Sequence, residues 1–108
     1  MTTFDDRENA FERKFAHDEE LQFRAKARRA RLMGLWAAEK LGLAGAEAEA
    51  YARAVVEADI QGPRGQGAFA KLRADFDAKG VPQSDHQIQR RMEELMEQAI
   101  AQIRSEVR

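Results

Sequence analysis

Three phenylalanines near the N-terminus carry the first chemistry legible in this chain. Wound as an α-helix at roughly 100° per residue, the segment brings Phe4, Phe11 and Phe15 within about 40° of one another, so they form one aromatic ridge. Arg7, Glu8, Glu12, Arg13 and Lys14 flank that ridge with charges of both signs. A ridge of this kind does recognition: rings enter an apolar cleft, while the flanking charges fix register and exclude wrong partners. Covalent chemistry has no comparable arrangement. No Ser/His/Asp constellation stands out, and the carboxylates follow helical salt-bridge spacing. The absence of cysteine removes thiolate nucleophiles, thiolate metal ligands and disulfides. His17, beside Asp18, reads as an exposed helical histidine, and His86 falls in the first turn of a helix without a cluster of ligands around it. No catalytic residue and no metal site are assigned, and the chain is expected not to be an enzyme.

The elements that must position the ridge follow from composition and periodicity. The chain has 108 residues, room for one globular domain. Its hydrophobic fraction of 44% includes 20 alanines, so the core is expected to be thin and Ala-lined. Ala, Glu, Lys, Leu and Arg make up 57 residues against 10 β-branched ones, which favours helices over sheets. The fold class predicted is all-α, a small four-helix bundle. No Pro or Gly interrupts residues 1–33, and Gly42 suits a helix end, so the first helix is predicted to run unbroken from Thr3 or Asp5 to about Leu41. The second is predicted over 45–61 on a face of Ala48, Tyr51, Ala52, Val55 and Val56, and the third over about 67–79 on Phe69, Leu72 and Phe76. Ser84 with Gln87 three residues on is a capping box that opens the fourth, whose stripe is Ile88, Met92, Leu95, Ala99 and Ile103.

One irregularity divides the first helix. Leu21, Ala25, Leu32, Leu35 and Trp36 gather on a face displaced from the Phe ridge by roughly 90° on an ideal wheel, although a small departure from ideal pitch would erase much of that offset. Charge changes at the same place. Residues 1–20 carry a net charge of −4 and residues 21–31 a net charge of +5, inside a chain whose total is −1. The expectation is a partner-binding segment over 1–20, projecting or disordered until bound, and a bundle domain over 21–108. No long apolar run and no basic, greasy leader is present, so a cytoplasmic chain without membrane insertion is expected.

The N-terminal residues Phe4, Arg7, Glu8, Ala10, Glu12 and Phe15 resemble the inhibitory helix of the mitochondrial ATP synthase inhibitor protein, with Phe15 standing where that family has Tyr. The runs Phe15-Ala16-His17-Asp18-Glu19-Glu20-Leu21, Ala27-Arg28-Arg29 and Gly34-Leu35-Trp36-Ala37-Ala38-Glu39-Lys40-Leu41-Gly42-Leu43 carry a further resemblance, which covers the whole chain, to the ζ subunit of alphaproteobacterial F-type ATP synthases. The resemblance implies a four-helix protein that inhibits ATP hydrolysis by inserting its N-terminal helix into a catalytic interface between α and β subunits, near the central stalk. The partner-binding residues it implies are Phe4, Arg7, Glu8, Ala10, Phe11, Glu12, Arg13, Lys14 and Phe15. It further implies weak binding of adenine nucleotide with no cofactor required, at a place the sequence does not locate. It implies action at the cytoplasmic face of the inner membrane.

Two features compete with that reading. Glycines in Gly62-Pro63-Arg64-Gly65-Gln66-Gly67 precede a helix, where backbone N–H groups approach phosphates, but the Gly-Lys-Ser/Thr ending of a phosphate-binding loop is missing and a plain turn is expected. The basic run of Arg24, Lys26, Arg28, Arg29 and Arg31 supports the alternative, a helical adaptor that binds another protein or nucleic acid through this face. Without interleaved aromatics the run is expected to pair with acids of other helices, and no nucleic acid is expected.

Overall fold

The computed structural model describes residues 3–63 and 66–107, without the side chains of residues 3–6 and of Glu8. Five helices follow in order: α1 (Thr3–His17), α2 (Glu19–Lys40), α3 (Gly45–Gln61), α4 (Gln66–Lys79) and α5 (Asp85–Glu106). The predicted four become five because the long first helix breaks at Asp18. Asp18 leaves the helical region (φ −105°, ψ 102°) and its side chain accepts a hydrogen bond from the Leu21 amide at 3.1 Å, so it ends α1 and caps α2. Asp is a strong N-cap because its carboxylate reaches an amide that lacks an intrahelical partner. Two helices at an angle, and not one with two apolar faces, account for the offset on the wheel.

The other elements keep the predicted positions closely. Ser84 Oγ accepts from the Gln87 amide at 3.1 Å, and Gln87 Oε1 accepts from the Ser84 amide at 2.8 Å, closing the capping box of α5. All five apolar residues predicted for that helix are buried.

Helix α2 is the spine, touching each of the other four. Its buried stripe begins with Leu21 and Ala25, then steps five residues to Ala30 and continues through Met33, Gly34, Ala37 and Ala38. A step of five rotates the stripe by roughly 140°, so the two halves of α2 serve different neighbours. The second half meets α3 through its smallest residues. A Cβ on Gly34 would lie 2.6 Å from Ala52 Cα, and glycine is what lets the two backbones approach this closely. The larger Leu32, Leu35 and Trp36, which the wheel places on the core face, are displaced to its flanks and only half-buried.

Two cores result. The main one joins Ala30, Met33, Ala37, Val55, Ala68, Leu72, Phe76, Ile88, Met92 and Leu95, with Trp36 edge-on to Phe76 at 5.7 Å between ring centres. The smaller one joins Phe11, Leu21, Ala25 and Ile103, with Phe15, Met96, Ile100 and Val107 packed around it. The body measures 51 × 26 × 26 Å.

Candidate functional site

Helix α1 is amphipathic, and the structure separates the residues expected to bind a partner into two groups. Arg7, Ala10, Glu12, Arg13 and Lys14 are exposed. Phe11 is 8% exposed and Phe15 half-buried, their rings 6.1 Å apart with planes inclined by 30°. The expectations for the side chains of Phe4 and Glu8 lie outside the described residues. Of the segment expected to project or to be disordered until bound, the described part, α1, is helical, and its Phe11 and Phe15 pack against the bundle. The reason is local chemistry. The Phe ridge finds Leu21 and Ala25 of α2 and Ile103 of α5 within its own chain, and covering these rings removes apolar surface from water.

Two polar contacts strengthen that placement. The Gln22 carboxamide nitrogen donates to the carbonyl oxygens of Phe15 at 2.9 Å and Ala16 at 3.0 Å, two acceptors in the last turn of α1 that have no amide four residues on in helical register. The Arg104 guanidinium stands 5.9 Å over the centre of the Phe11 ring, a cation–π geometry. Sequence reasoning picks out neither Gln22 nor Arg104, since both bonds depend on the break at Asp18. Arg13, Lys14, His17, Asp18 and Glu19 line an open hollow beside the break.

The basic run of α2 is largely spent inside the molecule. Arg28 grips the Glu106 carboxylate with both terminal nitrogens at 2.7 and 3.0 Å, and Arg24 joins it at 3.2 Å. Hydrogen bonding from Arg28 holds the Glu106 carboxyl below the usual carboxylate range and, reciprocally, raises the Arg28 guanidinium. Arg31 pairs with Glu49 at 3.1 Å. Three of the five bases thus brace α2 against α5 and α3, which removes most of the continuous cationic face that nucleic acid would need.

Elsewhere the polar contacts are structural. The Tyr51 hydroxyl donates to Asp75 at 2.7 Å, and Lys71 lies 5.2 Å from the ring centre while pairing with Asp75 at 3.2 Å. Burial first, then the Asp75 carboxylate, pushes the Tyr51 phenol well above its ordinary pKa. In the Gly-rich connection, Arg64 and Gly65 lie outside the described residues. At Gly67 a Cβ would overlap the carbonyl oxygen of Ala58, so close approach of α3 and α4 explains this glycine without a phosphate. Among the described residues no group of three His, Asp or Glu is placed to hold a metal ion, and no helix is long and apolar enough to cross a membrane.

Fold and site together define a small all-α protein in which one amphipathic terminal helix hangs on a bundle by a minor core of its own. A family model described as ATPase inhibitor subunit zeta matches residues 1–102, and the chain belongs to that family. Three solved chains also match. One of them, a solution NMR structure, is 41% identical to this chain with a TM-score of 0.69, covering 81% of this chain and 99% of that one. No curated protein matches.

Proposed function

We propose that this chain inhibits ATP hydrolysis by an F-type ATP synthase at the cytoplasmic face of the membrane, by inserting α1 into a catalytic interface between α and β subunits beside the central stalk. Residues 1–20 are the binding segment in this reading, and residues 21–108 the body that carries it. The observation that supports it is the paired Phe11 and Phe15 rings on a charged helix held by a separate minor core. A helix attached in this way leaves its dock without opening the main core.

The physical parts of the step can be named. Each ring transferred into a cleft contributes a few kcal/mol by area, about the same quantity it gives up on leaving Ile103, Leu21 and Ala25. The net gain therefore comes from additional contacts: Phe4 and Glu8, and the exposed Arg7, Glu12, Arg13 and Lys14 meeting charges at the cleft. Inhibition is steric, since a helix wedged in an interface that must open and close stops the cycle. No catalytic group and no cofactor of this chain take part.

Deleting residues 1–19 tests the reading. The remaining bundle is expected to melt cooperatively, by circular dichroism, and to have lost inhibition of the cognate enzyme. Full inhibition by the truncated chain sinks the assignment of α1.

A further inference from the structure

Two backbone arrangements compete at residues 14–21, and one side chain stands between them. In an unbroken helix the carbonyls of Phe15 and Ala16 would accept from the amides of Glu19 and Glu20. In the bent form those bonds are absent. Gln22 donates two replacements from a single amide group, to the Phe15 and Ala16 carbonyls, and the Asp18 carboxylate accepts from the Leu21 amide, which the break deprives of its helical partner. The bend is also what lets Phe11 reach its dock. Along a continuous helix Phe11 would sit about 15 Å beyond Leu21, out of reach of the core the two residues share with Ile103.

We propose that Gln22 is the positioning residue that holds α1 in the bent, docked state, and that losing its two donors releases α1 as a continuation of α2 with the Phe ridge uncovered. This rests on the reading of α1 as the inhibitory helix. Gln22 touches no partner in that role. It sets the fraction of molecules whose ridge is free, and apparent affinity scales with that fraction.

The chemistry of the contact selects the variants. Gln22→Glu keeps the shape and replaces the donor by a carboxylate facing two carbonyl oxygens, at a helix C-terminal end that disfavours negative charge. Gln22→Lys keeps N–H donors within reach and adds a charge that the same helix end favours. Residue 22 is the fourth of α2, where that helix's own N-terminal end favours Glu over Lys, so a merely structural role for this position predicts the opposite order from the two.

The experiment uses the full chain with spin labels at Asn9 on α1 and Gln98 on α5, both exposed. In Gln22→Glu the distance distribution is expected to move to the longer, undocked population, and the concentration that half-inhibits ATP synthase to fall by about tenfold, the scale of two lost hydrogen bonds. Gln22→Lys is expected to keep the docked distance and the unmodified chain's inhibition. Equal distances in Gln22→Glu and Gln22→Lys overturn the proposal, as does an undocked Gln22→Glu that inhibits no better than the unmodified chain. If the unmodified chain does not inhibit at all, the proposed function fails, while the label distances still decide whether Gln22 holds α1.

Discussion

Arg104 covers Phe11 from above, its guanidinium 5.9 Å from the ring centre, so a residue two positions before the end of α5 closes the dock of the N-terminal helix. A contact of this kind is worth about 0.5–2 kcal/mol, depending on how far the pair is shielded from water. Phe11 shares the minor core with the buried Leu21, Ala25 and Ile103 and the partly buried Phe15, Met96, Ile100 and Val107, against the ten buried residues of the main core. The molecule therefore has two unequal stabilities, and perturbing the smaller core leaves the larger intact.

Phe11→Ala is the direct check of that separation. Amides over residues 9–17 are expected to exchange with solvent at least tenfold faster, while the bundle's thermal midpoint moves by only a few degrees, because the dock opens locally. Under the proposed function inhibition of ATP hydrolysis is expected to weaken as well, since in that reading the same ring also enters the partner cleft. Exchange measured by mass spectrometry, with the melt as control, checks the first part. A large drop in the melting midpoint would show that the two cores unfold as one.

Gly34→Ala probes the main core. Alanine raises helix propensity by about 1 kcal/mol, yet its Cβ would stand 2.6 Å from Ala52 Cα, where backbone cannot yield cheaply. Overpacking of this type costs about 1–3 kcal/mol, so a net loss of up to about 2 kcal/mol is expected in urea unfolding. A gain in stability would mean that α2 and α3 separate freely.

Tyr51 is the chain's one tyrosine, so its ionisation can be followed without interference from another phenol. Burial and Asp75 raise its pKa in the folded state. Its contribution to stability is therefore fully present below the unfolded value of about 10 and is lost as pH rises from there through the folded value. Absorbance near 295 nm is expected to show the phenolate only well above pH 10, and Asp75→Asn to lower that midpoint without bringing it to the ordinary value, because burial is the larger cause. Titration of the unmodified protein near pH 10 contradicts this environment.

At the other end of the scale Glu106 has a lowered pKa in the folded state, chiefly through its hydrogen bonds from Arg28. A lowered carboxyl stabilises above its unfolded value, about 4.3, and that stabilisation is lost as pH falls through the folded value. The end of α5 is expected to fray in acid, and Glu106→Gln to show the same fraying already at pH 7 with less further change on acidification. Amide exchange over residues 100–106 at both pH values reads it.

Much of the fold is legible in the residues. Helix α5 carries five large or small apolar residues at regular spacing and an explicit capping box, and every one of its predicted core positions is buried. Helix α3 keeps its predicted bounds for the same reason, a steady period between two glycine-containing breaks. Two features are not legible. The end of α1 has no Pro or Gly to mark it, because the side chains of Asp18 and Gln22 make the bonds that replace helix register. The packing face of α2 misleads hydrophobicity, since a close crossing selects Gly34, Ala37 and Ala38 over Leu32, Leu35 and Trp36. At the candidate site the aromatic ridge is visible in the sequence, but its intramolecular cover is not, because Ile103 and Arg104 lie at the other end of the chain.

The five-residue step in the stripe of α2 has a mechanical consequence. Tension applied to α1 enters the first half of α2 and the α5 end clamped by Glu106, while α3 is anchored on the second half. Pulling α1 off the body opens the minor core, whereas none of the ten buried residues of the main core belongs to α1. If α1 is the inserted helix, as proposed above, a joint of this kind yields first at its weak link, and the greater part of the molecule stays folded.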